Sequence, residues 1–87
     1  RYPYIRTMSR RAYKESGRPM ECLVCNYSLH VDIAHVRDVK SYPDTATVAE
    51  VNDLSNLIAL CKNRHWEFDN GYLQIEGVSS ETKPVAK

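Results

Sequence analysis

The residues best suited to chemistry cluster in Asn56 to Asn70, NLIALCKNRHWEFDN. Imidazole exchanges a proton near physiological pH, and its free nitrogen ligates divalent ions, as do carboxylate oxygens. His65 and Asp69 are four residues apart, so on a helix they share one face. Asn56 stands at the start of the apolar run that leads into that helix. Upstream, the stretch Leu29 to Val36, LHVDIAHV, carries His35 near its end. A histidine, an asparagine and a second histidine, delivered by strand, strand and helix, are the parts of a compact metal-assisted phosphodiesterase.

Three cysteines form a second set. Cys22 and Cys25 have the C-x2-C spacing that lets two thiolates reach one tetrahedral ion, and Cys61 could add a third. The alternative is three free thiols packed in the core. An 87-residue domain has little core to spare and benefits from a metal staple, which favours the ion. An odd cysteine count in this spacing does not suit a secreted disulfide framework; it points to a reducing, cytoplasmic compartment.

The elements that must position these groups can be read in chain order. Ile5, Met8, Ala12 and Tyr13 give helical spacing over Tyr4 to Ser16, with Gly17 as terminator and Pro19 beyond. Leu29 to Val36 reads as a strand, with Val31, Ile33 and His35 on one face and His30, Asp32 and Ala34 on the other. Thr47 to Glu50 fits a capping box, so a short helix is expected from Val48 to Asp53. Leu54 to Leu60 reads as the second strand, followed by a helix capped by Asn63 and ended at Gly71. Trp66 and Phe68 are expected in the core, and Tyr72 to Glu76, YLQIE, as a short edge strand. The expected organisation is a basic N-terminal helix over 1–19, a core over 20–76 and a frayed tail over 77–87.

Net charge is +1, but residues 1–20 hold six basic side chains against one acidic, and the remainder carries −4. Arg6, Arg10 and Lys14 fall at i, i+4 and i+8, a stripe able to track a phosphate backbone. A solvated helix face is the competing reading. Arg37, Lys62 and Arg64 flank the histidines and are further phosphate-contact candidates; Lys40 reads as surface charge. No apolar run approaches membrane-spanning length, no signal peptide is visible, and a start at Arg1 suggests a piece of a longer chain.

With CLVC, DIAHV, SNLIALC and CKNRHWEFDNGYL laid out, the chain resembles the HNH endonuclease family over Met20 to Leu73. The resemblance implies an α+β fold, the ββα-metal (His-Me finger) motif, with an added N-terminal helix. It implies His35 as general base, Asn56 as the residue that holds the strand–loop geometry, and His65 as ligand of the catalytic ion. That ion would be Mg2+, Mn2+, Ni2+ or Zn2+, and Cys22, Cys25 and Cys61 would hold structural Zn2+. Two positions depart from the pattern. Ala34 stands where a ligand often precedes the base, and Asp32 on the same strand face is the replacement candidate. Arg64 stands where a fourth zinc ligand is usual; a guanidinium cannot ligate, which leaves His30 or another donor.

The function expected is metal-dependent hydrolysis of DNA phosphodiester bonds. A larger restriction or defence protein, or a homodimer, would supply targeting; no membrane partner is expected. The alternative is a catalytically weak zinc-knuckle module that binds nucleic acid.

Overall fold

The structure is a computed structural model that describes residues 2–78 and 82–83. Helix α1 spans Tyr2–Glu15, strand β1 Val31–His35, helix α2 Val48–Val51, strand β2 Leu57–Cys61 and helix α3 Lys62–Asp69. Two 3-10 turns, Val39–Ser41 and Leu54–Asn56, lie in the long β1–β2 connection. β1 and β2 pair antiparallel, with His35 opposite Leu57 and Val31 opposite Cys61. This is the expected α+β arrangement of two strands and a helix, with a helix added at the N-terminus.

Two strands alone are marginal in water, so both faces of the sheet must be covered. Alternation decides which residues go where. Val31, Leu57 and Ala59 cluster with Tyr13 of α1, joined by Ala12, Met20, Ile33 and Leu54. Ala34, Leu60 and Cys61 cluster with Cys22 and Phe68 of α3, joined by Ile58, Leu73, Ile75 and Val78. The sheet is thus held between α1 and α3. The buried stripe of α1 is Ile5, Ser9 and Tyr13, at spacings of four. Ser9 is tolerated there because its hydroxyl donates back to the Arg6 carbonyl at 2.8 Å. The capping box at α2 is present, with Thr47 and Glu50 each satisfying the other's backbone N–H. Gly17 and Gly71 take positive φ, 79° and 82°, where the first and last helices end.

Several expectations on local structure are corrected. Leu54–Asn56 is a 3-10 turn, capped by Asp53, and the second strand starts at Leu57. α3 begins at Lys62 directly after the strand, so Cys61 is its N-cap and Asn63 lies inside it. Trp66 is 60% exposed and stacks on Tyr72 at 5.7 Å; Phe68 alone of the pair is in the core. Residues two apart on a helix point to nearly opposite sides, so both could not be buried. Tyr72 to Glu76 is not a strand. Its alternation is real, since Leu73 and Ile75 pack inward, but no strand among the described residues pairs with it. The tail is not wholly frayed, since Thr82 and Lys83 are bound to the body; residues 79–81 and 84–87 lie outside the described residues.

Candidate functional site

A cleft of about 900 Å³ runs along β1, between α1 and α3. His35, Asp32, His65 and Asp69 all line it, together with Arg6, Arg10, Lys40, Lys62 and Lys83. β1 is a strand of a two-stranded sheet, and among the described residues no strand pairs with its outer edge. Arg10 covers part of that edge, donating to the Val31 carbonyl at 2.7 Å.

His35 is fixed by a residue that sequence reading did not single out. Its Nε2 lies 2.7 Å from Asn52 Oδ1. Asn52 Nδ2 lies 3.1 Å from the Ile5 carbonyl, which only accepts. The amide nitrogen must therefore face Ile5, and the amide oxygen must face His35. An amide oxygen cannot donate, so Nε2 carries the hydrogen, and in neutral imidazole Nδ1 is left with the lone pair. Burial holds the His35 pKa below its ordinary value; the Asn52 bond opposes this, and the charge of Lys83 adds to it. The ring is therefore neutral, with a free basic nitrogen, at physiological pH.

Among the described residues, the hydrogen bonds of the Asn56 side chain go to Arg37 and Val51, not to His35. Asn56 is buried, and its side chain locks the backbone just beyond the base. Oδ1 accepts from Arg37 N–H at 2.6 Å, and Nδ2 donates to the Arg37 carbonyl at 3.3 Å and the Val51 carbonyl at 2.9 Å. Its own carbonyl accepts from Val36 N–H at 2.9 Å. One side chain thus ties the exit of β1 to the end of α2.

His65 lies between two carboxylates. Nδ1 is 3.0 Å from Asp32 Oδ2, and Nε2 is 3.0 Å from Asp69 Oδ2. The bond to Asp69 raises the His65 pKa most; burial opposes it, and Asp32 adds to it. Burial works against ionisation of Asp32, but His65 and Lys62 outweigh it and hold its pKa low. Asp69 behaves alike: burial disfavours its charge, while His65 and Lys83 stabilise it. Lys62 Nζ is 3.3 Å from Asp32 Oδ1 and largely exposed, so it leaves without cost to packing. Imidazole nitrogen flanked by carboxylate oxygen is a donor set that fits a divalent ion. Asp32 and His65 are the pair that could hold it. Asp69, engaged by Lys83, is placed to orient the ring through Nε2.

The cysteines form a separate site. Their three sulfurs lie within 4.8 Å of one another, and Cys25 Sγ is 3.7 Å from Cys61 Sγ. The knuckle closes through Asn26 at φ 63°, with Asn26 N–H on the Cys22 carbonyl and Cys22 N–H on the Tyr27 carbonyl. Leu23 N–H bonds Ala59 of β2 at 2.9 Å, which brings the knuckle against the strand that carries Cys61. Burial disfavours the Cys22 thiolate, but backbone N–H groups of Cys61, Cys25 and Val24 hold its pKa at about 7. Tyr27 N–H favours the Cys25 thiolate, yet the neighbouring sulfurs and burial leave that thiol raised. Three sulfurs this close are placed to share one metal ion. Arg64 is ion-paired with Glu67 and lines the hollow beside Cys25 and Cys61. His30 lines the same hollow as Cys25, Cys61 and Arg64.

The six proposed phosphate contacts divide by position. Arg6, Arg10 and Lys62 line the cleft. Lys14 is exposed on α1 outside it. Arg37 is held by Ser41 and lies over the Tyr42 ring at 4.1 Å, and Arg64 lines the cysteine hollow instead. Lys40, read from sequence as plain surface charge, does line the cleft, and Lys83 was not singled out at all.

Two strands and a helix around a histidine-lined cleft, with a cysteine knuckle against β2, define a ββα-metal domain. The HNH endonuclease family model matches residues 22–76, and the chain belongs to that family. No curated protein and no solved structure matches the chain.

Proposed function

We propose that this domain hydrolyses DNA phosphodiester bonds with one divalent ion, His35 acting as general base. The observation that carries this reading is the Asn52 amide, which assigns the proton of His35 to Nε2 and leaves Nδ1 to accept another. Nδ1 takes a proton from water as the oxygen attacks phosphorus. His65 and Asp32 hold the ion, Mg2+, Mn2+, Ni2+ or Zn2+, while Asp69 keeps the His65 ring in place. When bound, the ion supplies Lewis-acid polarisation of the phosphate and charge stabilisation of the leaving oxygen. Asn56 keeps the β1 exit in register with α2, so that His35 faces the cleft. Arg6, Arg10, Lys40 and Lys62 contact neighbouring phosphates, which position DNA without reading its sequence.

Cys22, Cys25 and Cys61 hold a structural zinc, with His30 as the remaining protein donor, in a reducing compartment such as the cytoplasm. Sequence targeting, as in restriction or defence, falls to a larger parent chain or a second copy. One observation favours a second reading, a nucleic-acid-binding module that does not cut: Ala34, in the position before the base, is buried and offers no ligand.

Incubation of supercoiled plasmid with the domain and Mg2+ or Mn2+ separates the two. Cleavage that His35→Ala loses by about 10²-fold or more, with DNA binding retained, supports the nuclease. Binding without cleavage under every divalent ion supports the second reading.

A further inference from the structure

Lys83 lies beyond the residues matched to the family, in a segment that sequence alone marks as tail. Its side chain is nonetheless only 3% exposed. Nζ lies 3.0 Å from Asp69 Oδ1, and Asp69 Oδ2 in turn lies 3.0 Å from His65 Nε2. The same ammonium is ion-paired with Asp38 and sits 5.2 Å from the centre of the buried Phe68 ring. Thr82 adds a second tie, its hydroxyl accepting from Asp38 N–H at 2.9 Å. Asp38 follows the base strand by three residues, and Asp69 ends α3. Two consecutive residues of the C-terminal segment thus join the loop after His35 to the helix that carries His65.

We propose that Lys83 is a positioning residue of the site, acting through Asp69 to hold His65 in the orientation that binds the divalent ion. The proposal rests on the nuclease reading for the identity of that ion's site. Burial favours positioning over direct contact: the side chain is 3% exposed and its ammonium is held by the carboxylates of Asp38 and Asp69. With the ammonium gone, Asp69 loses the contact that fixes its second oxygen, and the His65 ring loses a fixed partner on Nε2. Nδ1 is then no longer presented to Asp32.

The test uses the full chain, loaded with zinc, and Mn2+ as probe, with affinity read from the free-ion electron paramagnetic resonance signal. That readout does not depend on cleavage. Lys83→Met should weaken Mn2+ binding by about 10-fold or more, the usual range for loss of an outer partner of a ligating histidine. Lys83→Arg, which keeps the charge, should restore much of it. In plasmid cleavage at saturating Mn2+, kcat should fall while KM for DNA stays near wild type, because the exposed cations of the cleft are untouched. Should Lys83→Met fail to fold, Lys83→Ala, which deletes the ammonium and leaves room for water beside both carboxylates, carries the same test. Wild-type Mn2+ affinity in a folded Met or Ala variant overturns the proposal, as does absence of any Mn2+ site that Asp32→Asn abolishes. Wild-type protein that binds Mn2+ at Asp32 but never cuts DNA overturns the nuclease reading, while the Mn2+ affinities still decide the role of Lys83.

Discussion

Replacing Asn52 by leucine removes the contact on which the protonation state of His35 depends. Leucine fills a similar volume at a site 7% exposed, but it deletes both arms of the amide. The Ile5 carbonyl lies inside α1, where the helical ladder still supplies a donor. The His35 Nε2–H has no such reserve. A buried donor left without a partner costs about 1–3 kcal/mol. For a domain of this size, that corresponds to a fall in melting temperature of roughly 5–20 °C. The catalytic effect is separate. A general base contributes about 10²–10⁴-fold, and an imidazole free to rotate and exchange tautomers forfeits part of it, so kcat should fall about 10- to 100-fold. Plasmid cleavage below the melting transition and circular dichroism melts measure the two effects. Asn52→Asp sharpens the test, because a carboxylate still accepts from Nε2–H but adds negative charge beside the ring. Charge of that sign favours the imidazolium, so the acid limb of the pH profile should move up by about 1–3 units, with activity recovered at alkaline pH. A folded Asn52→Leu protein that cuts within about twofold of wild type, or an Asn52→Asp profile that does not move, refutes the assignment.

Three further outcomes follow from the geometry. Asn56→Ala leaves the Arg37 N–H and the Val51 carbonyl without their partner and should cost about 2–5 kcal/mol, a large part of a small domain's stability; an unchanged urea midpoint contradicts this. Cys25→Ser opens the three-sulfur cluster, so zinc measured by elemental analysis should fall from one per chain and the melting temperature should drop; a metal-free wild type with the same melt argues against a metal there. Because burial holds His35 below its ordinary value of 6.5, it loses its proton at lower pH than a free histidine, and the acid limb of kcat/KM should lie under 6.5; a limb at or above that value contradicts the environment described.

What could be read from the chain was what local pattern controls. The run from Leu57 into His65 announces a strand and a helix because a continuous apolar run, a polar stretch and Gly71 are all local signals. Asp32 is legible as a candidate because strand alternation sets it on the same face as Ala34, and it lines the cleft. Asn52 and Lys83 were missed for the opposite reason. Asn52 reaches His35 across 17 positions, and Lys83 reaches Asp38 across 45, so nothing near either residue reveals its partner. The edge strand expected at Tyr72 to Glu76 shows the converse error. Alternation there reports burial of Leu73 and Ile75, and burial does not require a partner strand. Trp66 was placed in the core on residue type alone, although Phe68, two positions on, already takes the inward side of α3.

The most direct test of the account is a crystal of the domain with a short DNA duplex and Mn2+, read by anomalous scattering. The account predicts an ion bonded to Asp32 and His65, a backbone phosphate against it, and the Nδ1 edge of His35 on the far side of that phosphorus. An ion held elsewhere, or a His35 ring turned so that Nδ1 faces Asn52, contradicts it.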